Sequence, residues 1–395
     1  MDSTAGLTVD VVLSSRRETL HLAPVIHALR ADRNCRVRVV VIKTQRSDVD
    51  ETLDSLSLRA DILLNIHGAQ KNSGTYFGEI NVLLAELWAQ RQTDFLLSFG
   101  HSGATFAAAV AAFQNNVSIA HLDDLGGLHP YRHLPRQAQQ SCRSIAILSQ
   151  LHFTVSNEAK KILLHEGISE ENIFSVGSTL GDSASQIRRQ LNSQSFVAEL
   201  FINGFSTLGD RILHGQFFYV EIESEKSLAI LAEVLPYYAV SRNFPVPVLH
   251  IQNKTLLERI ESDKAYQATC KISHLRHLQR CALLLKASLV ITDSEDTLEE
   301  SVAFGTMGIL LREQTLRADL ISSGLASVAP QGCELVIAQI DRYLQQSRSR
   351  NSLGENSALP AAEGGAATKI VRAITNRTSE SVRRGKTSLL SRQAG

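Results

Sequence analysis

Short runs rich in Val, Ile, Leu and Phe alternate with helix-length amphipathic segments along both halves of this chain, and that alternation limits the fold more than any other feature. Apolar runs of four to eight residues separated by helices are the signature of parallel strands buried on both faces, because a parallel sheet needs a helical crossover between neighbouring strands. Strands are predicted at Val9–Ser14, Val37–Ile42, Phe95–Phe99, Val117–Ala120 and Phe153–Val155. Helices are predicted at Leu20–Arg30, Phe77–Gln90 and the Ala-rich Ala104–Phe113. A second set follows, with strands at Phe217–Ile222, Val246–Ile251 and Ser288–Ile291 and helices at Ser227–Val240, around Leu275–Leu285 and at Leu298–Phe304.

A chain of 395 residues exceeds what one hydrophobic core organises. Ser183–Arg211 is polar and mixed in period, so the domain boundary is expected inside it. The reading is a Rossmann-like domain over 1–185, an inter-domain segment over 186–212 and a second Rossmann-like domain over 213–345. Beyond Gln345 a Ser-, Arg-, Gly- and Ala-rich linker leads to one helix at Ala367–Ile374, within the expected 346–395 segment. The last stretch, Asn376–Gly395, carries five basic residues and one acid and reads as a disordered basic tail, with weak contact to a membrane or an acidic partner as the sharper alternative.

Forty basic and forty acidic residues cancel, which leaves no electrostatic case for nucleic acid as the main partner. Cys35, Cys142, Cys270, Cys281 and Cys333 form no C-x-x-C pair and no His-Cys cluster at metal-ligand spacing, so they read as free thiols of a cytoplasmic protein, with no metal or cofactor expected. The N-terminus is too acidic and its apolar stretch too short for a signal peptide, and no segment approaches the roughly 20 apolar residues that span a bilayer.

One stretch poses a chemical question. "TDSEDTLEESVAFG" (Thr292–Gly305) follows a strand and opens a helix, a place where unpaired backbone N–H groups favour an anion. Yet Glu295 and Asp296 stand where that anion would be.

Several motifs, in one colinear order, resemble the non-hydrolysing UDP-N-acetylglucosamine 2-epimerases. "SSRRETLHLAP" (Ser14–Pro24) resembles that family's G-T-R-P-E-x-x-K-x-x-P, and "FLLSFGHSGATFAAAVAAF" (Phe95–Phe113) its V-x-G-D-T-x-T-x-x-A-A-x-x-A-F. "VSIAHLDD" (Val117–Asp124) is similar to I-P-V-x-H-V-E-A, and "VGSTLGDS" (Val176–Ser183) to G-N-T-x-x-D. Thr292–Asp319 is similar to T-D-S-G-G-x-Q-E-E followed by R-x-x-T-E-R-P-E, and "GGAATKIVRAI" (Gly364–Ile374) to a closing helix. The resemblance implies an α/β chain of two doubly wound domains facing a cleft, glycosyltransferase-B-like, that takes a UDP-sugar and inverts C2 by eliminating and re-adding UDP. It also implies a homodimer or a hetero-oligomer with an epimerase as the partner.

Carried over by position, the resemblance assigns nucleotide-sugar binding to Arg16, Ser294, Glu300, Thr315 and Arg317, with Glu300 on the ribose hydroxyls. Each also has a plain structural role open to it: Arg16 as a surface charge, Ser294 as an N-cap, Glu300 as a solvated helix residue. The catalytic positions differ from the family's. Its first-helix Lys is His21 here, its G-D-T Asp is His101, and its H-V-E Glu is Asp123. Gln139 and Cys142 stand for a Glu and an Arg, and "ESEKS" (Glu223–Ser227) replaces H-R-R-E-N. His101 and Asp123 are the candidate acid–base pair, since an imidazole titrates near neutrality and a carboxylate can orient it. The loop Tyr131–Arg132–His133 is a further candidate for lining the site. Three readings follow: a divergent epimerase or hydrolysing relative with weak or lost activity, a non-catalytic binding or regulatory partner of a true epimerase or other cell-surface glycan enzyme, and a glycosyltransferase of the same build.

Overall fold

The computed structural model describes residues 6–44, 49–67, 72–123, 136–191, 215–239, 246–266, 269–313, 315, 317–329, 332–352 and 365–377. The chain divides into two compact units, Met1–Ser183 with Gly364–Gly395, and Ala184–Glu363.

In the first unit the strands are β1 (Leu7–Leu13), β2 (Cys35–Lys43), β3 (Ile62–Asn65), β4 (Phe95–Phe99), β5 (Ser118–Asp123), β6 (Leu151–Thr154) and β7 (Ile173–Ser175). They form a parallel sheet in the order β3-β2-β1-β4-β5-β6-β7, with Val9 paired to Phe95 where the order reverses. Its helices are α1 (Arg16–Ala31), α2 (Val49–Ser55), α3 (Ser73–Gln90), α4 (Gly103–Gln114), α5 (Arg136–Leu148), α6 (Asn157–His165) and the start of α7 (Leu180–Leu191), whose residues from Ala184 belong to the second unit. Val9, Val11, Val39, Val40, Leu96, Leu97, Ile119 and Phe153 have no exposed surface, as expected of strands covered on both faces.

Two devices fix this unit. Asp10 lies in the middle of buried β1, where a carboxylate is costly unless fully paired. Arg38 on β2 grips it with two bonds of 2.5 and 2.9 Å, and Trp88 Nε1 donates to it at 2.8 Å. The second device concerns Pro24, inside α1, which has no N–H for the carbonyl four residues back. That carbonyl, Leu20 O, instead accepts the Ser183 hydroxyl at 2.5 Å, so the defect ties α1 to α7.

The second unit repeats the plan with β8 (Phe217–Glu221), β9 (Val246–His250), β10 (Cys270–Ile272), β11 (Leu289–Thr292), β12 (Gly308–Leu310) and β13 (Ala326–Val328), ordered β10-β9-β8-β11-β12-β13 and all parallel. Its helices are α8 (Glu225–Ala239), α9 (Lys254–Ser262), α10 (His277–Lys286), α11 (Glu295–Ala303), α12 (Ala318–Ser322) and α13 (Cys333–Ser352). Tyr238 of α8 donates to Ile337 O and Asp341 of α13 at 3.1 and 3.0 Å, so these two helices share one face of the sheet. At Gly308 on β12 a Cβ would meet Leu298 Cδ1 at 2.5 Å, so any larger residue there requires the Leu298 side chain to shift.

Several sequence expectations are corrected. Strands β3 and β7 extend the first sheet beyond the expected set; both are short, and β3 alternates half-buried and exposed residues, as edge strands do. The segment after Ser183 does carry an apolar face over its first part, since Ala184, Ile187 and Leu191 are buried at helical spacing on α7. The linker expected from Gln345 starts later, because Gln and Arg are good helix formers and α13 runs to Ser352. Helix α14, residues 366–377, includes Asn376 and Arg377, and Arg377 bonds Asn172 at 2.8 Å; the rest of the tail lies outside the described residues. No described helix is long and apolar enough to cross a membrane, and none of the five cysteines is in a disulfide.

Arg38→Met tests the first device. It strands a buried carboxylate, and such a loss typically costs about 3–5 kcal/mol. Denaturant melts should show that order of loss, largely recovered in the Asp10→Asn, Arg38→Met double variant.

Candidate functional site

Each unit gathers its polar side chains where the strand order reverses, at the carboxyl ends of the strands, the usual crevice for ligands in open α/β sheets.

In the first unit the turn from β1 into α1 is closed by Ser15, whose side chain caps the helix by accepting from Glu18 N at 3.2 Å. Glu18 is buried and reaches across to the β4–α4 turn. It accepts Ser14 Oγ at 2.8 Å, Ser102 Oγ at 2.8 Å and Thr105 Oγ1 at 3.3 Å. Burial raises its carboxyl despite these bonds from Ser14, Ser102 and Thr105. Arg16 is half-buried in the first turn of α1, and the Arg17 guanidinium lies 5.4 Å from the centre of the Phe99 ring. His21, at the family's Lys position, is a core residue that stacks on Phe99 with ring centres 4.1 Å apart and faces Thr179.

Gly100, at a φ of 70°, turns the chain so that His101 follows β4. His101 and Asp123 line one small cavity of about 10 Å³, together with His121, Cys142 and His152. That is room for about one water molecule. The structure therefore brings the two sequence candidates together, and adds two histidines that sequence reading passed over. His121 Nδ1 lies 3.1 Å from Ser98 Oγ. His152 is 1% exposed, and its Nε2 has no hydrogen-bond partner among the described residues. Tyr131, Arg132 and His133 lie outside the described residues.

In the second unit, Ser294 caps α11 by accepting from Thr297 N, so Glu295 and Asp296 occupy its first turn, half-buried. Asp293 folds back instead. It accepts Glu223 N and Ser224 N at 2.9 Å each and Ser224 Oγ at 2.7 Å, joining the β11 loop to the β8 loop.

Glu300 is 4% exposed and thus not a solvated helix residue. Its carboxylate pairs with Arg280 of α10 at 2.5 Å. The same guanidinium holds Glu221 of β8 with two bonds of 2.8 and 3.0 Å and Thr297 Oγ1 at 2.8 Å. Glu221 further accepts Tyr219 OH at 2.5 Å and Thr297 Oγ1 at 2.7 Å, and lies 3.0 Å from His250 Nδ1. Burial alone would raise the Glu221 carboxyl, but Arg280 and His250 outweigh it and hold it well below its ordinary value. Arg317, 3% exposed, pairs with Glu299 at 2.6 Å and with Asp319 at 2.8 Å, while Thr315 Oγ1 accepts Arg317 N at 3.0 Å.

Among the described residues no group of three or more His, Cys, Asp or Glu is arranged to hold a metal. Two residues of these clusters carry a signal in the sequence. Glu18 stood inside the first motif, and Arg280 is a charge on the buried face of α10 among Cys281, Leu283 and Leu284.

Two Rossmann-like units with parallel sheets and alternating helices define the class: an α/β chain of the glycosyltransferase-B-like build. The family model for UDP-N-acetylglucosamine 2-epimerase matches residues 27–375, and the chain belongs to that family. The Salmonella typhimurium UDP-N-acetylglucosamine 2-epimerase is 26% identical over 382 residues, covering 88% of this chain and 95% of its own length. The Escherichia coli K12 enzyme is 23% identical over 384 residues, covering 94% and 99%. Among solved structures, the Neisseria meningitidis UDP-GlcNAc 2-epimerase bound to UDP-GlcNAc superposes with a TM-score of 0.77 at 20% identity, covering 94% of this chain and 100% of that one. The Methanocaldococcus jannaschii enzyme in complex with UDP-GlcNAc and UDP gives a TM-score of 0.77 at 20% identity and the same coverage.

The cavity histidine carries a pH prediction. Burial pushes His152 down from 6.5 to about 4, against a backbone hydrogen bond at Ser149. A depressed imidazole contributes stability that is complete above the unfolded value and is lost as pH falls through the folded one. The loss should therefore develop between about 6.5 and 4 and amount to roughly 3 kcal/mol. Thermal melts of the wild type and His152→Gln across that window should show the steeper acid loss in the wild type.

Proposed function

We propose that this chain is a divergent UDP-N-acetylglucosamine 2-epimerase-like protein of the UDP-HexNAc class, with epimerase activity weak or lost. One observation carries the reading. Glu300, which the family resemblance assigns to the ribose hydroxyls, is buried against Arg280 and serves an internal ion pair. A ligand would have to compete with a guanidinium that already makes four bonds to Glu221, Glu300 and Thr297. Arg317 is engaged in the same way by Glu299 and Asp319.

The proposed acid–base groups point the same way. Removing a C2 proton and assisting a leaving diphosphate need titratable groups in reach of both atoms, and an acid is needed where Gln139 now stands. His101 and Asp123 are the residues we assign to any surviving proton transfer, since they share one cavity. Parts of a cooperative catalytic unit are grossly non-additive, so a site that lacks several members retains little. The same engagement of Glu300 and Arg317 favours, as a second reading, a binding or regulatory partner of a true epimerase.

Incubation of the pure protein with UDP-N-acetylglucosamine in deuterated water tests this. The expected result is no deuterium at C2 at enzymatic rates. Incorporation that disappears in His101→Ala or Asp123→Asn would instead establish a rebuilt, working site.

A further inference from the structure

One face of the first unit stays apolar where a surface should turn polar. Helix α4 carries no charged residue in its 12 positions, and a helix that is apolar all round belongs inside a core. It packs between α3 and α5, with Ala104, Ala107, Ala108 and Ala111 fully covered. Its outer stripe is nonetheless Phe106, Val110 and Phe113, at helical spacing, and Phe113 is 61% exposed. On neighbouring α3 the outward positions that flank this stripe are Gly78, Val82, Ala85 and Ala89, again three or four apart, and Val82 is 54% exposed. The 100° step of the helix puts Glu79 and Glu86 on the other flank of α3, where Glu79 accepts His67 N at 3.0 Å.

Gly78 sharpens the point. Glycine inside a helix costs stability relative to alanine, so a helix keeps it where something crowds the position. Its φ is not positive, and a Cβ there would meet nothing within 4 Å. Among the described residues, none requires the missing side chain.

The two stripes fit each other in relief, a bulky ridge on α4 and a shallow trough on α3. They also run level. The Phe77 and Phe106 rings lie 5.3 Å apart and Asn81 Nδ2 donates to Ala107 O at 3.5 Å, which sets Val82 beside Val110 in height. A two-fold axis between α3 and α4, parallel to both, therefore lays the trough of each copy on the ridge of the other, twice over. That self-match selects a second copy as the occupant, as does the lack of charge for a foreign partner to read, since homodimer interfaces are the more apolar kind. The area suffices. The 18 residues of α3 run about 27 Å, and two helices side by side are about 20 Å wide, so the face offers about 500 Å² per copy and about 1,000 Å² in all, where specific interfaces begin.

We propose that the outer face of α3 and α4 docks a second copy of this chain, with Val82 of one copy against Val110 of the other. The family resemblance implies a homodimer but names no surface; the ridge and trough supply one, and they do so whether or not a nucleotide sugar binds.

Sedimentation of the full chain, wild type and variants, tests this. The wild type should be a dimer at micromolar concentration. Val82→Glu and Val110→Lys should each be monomeric with an unchanged circular dichroism spectrum, and mixing the two should restore a dimer, because Glu then faces Lys at one of the two contacts. If Val110→Lys melts early, Phe113→Lys charges the same ridge at a more exposed position. Gly78→Leu fills the trough where the chain itself has open space, so its melting in the monomer should not fall while the dimer weakens at least about hundredfold. A monomeric wild type, a dimer indifferent to both Val82→Glu and Gly78→Leu, or a mixture that stays monomeric would overturn the proposal.

Discussion

The Arg280 guanidinium is the interaction on which the second unit depends. It lies fully inside the protein, where an unpaired charge would cost several kcal/mol after relaxation, and it is tolerable only because Glu221, Glu300 and Thr297 saturate it. Those three partners come from β8 and α11, so one side chain of α10 ties the central strand to the helix that follows β11. Burial works against its charge, but Glu221 and Glu300 outweigh that and raise its basicity well above the ordinary value. The arrangement has a direct chemical consequence for the proposed function. A carboxylate committed to a buried guanidinium is a poor acceptor for the hydroxyls of a ligand.

The first unit solves the same problem with Asp10 and Arg38, and then does something different at its strand ends. Where the resemblance leads one to expect carboxylates that exchange protons with a substrate, His101 and Asp123 share a cavity the size of one water with two further histidines and a cysteine. Glu18, a buried carboxylate of that region, is spent on the Ser14, Ser102 and Thr105 hydroxyls that hold two turns together. Both units thus keep the family's framework while directing its polar groups inward.

How much of this could be read beforehand follows from the kind of signal involved. Strands such as Phe95–Phe99 and Phe217–Glu221 were legible because a run of apolar residues between helices has one stable use, a strand covered on both faces. Short edge elements such as β3 and β7 were missed, since four or three residues carry no period, and the expected linker began inside α13, because the sequence from Gln345 is polar while its helix propensity persists. The meeting of His101 and Asp123 at one cavity was reachable, because β4 and β5, consecutive strands joined by one helix, lie side by side in the sheet. His121 and His152 were not, because only the packed sheet brings them to that cavity, and while the buried charge of Arg280 was legible, its partner Glu221, 59 residues away, was not.

Under the proposed reading, the strand-to-helix turn at Ser294 suits a diphosphate poorly, because Glu295 and Asp296 put two carboxylates in the first turn of α11. Like charges about 4 Å apart repel by roughly 1 kcal/mol in water and about 4 at an effective dielectric of 20. Calorimetric titration of UDP into the wild type and into Glu295→Gly, Asp296→Gly is the most direct measurement. The account predicts weak or undetectable binding to the wild type and a clear gain in the double variant with its fold intact. Tight UDP binding by the wild type, or no gain in the variant, would contradict it.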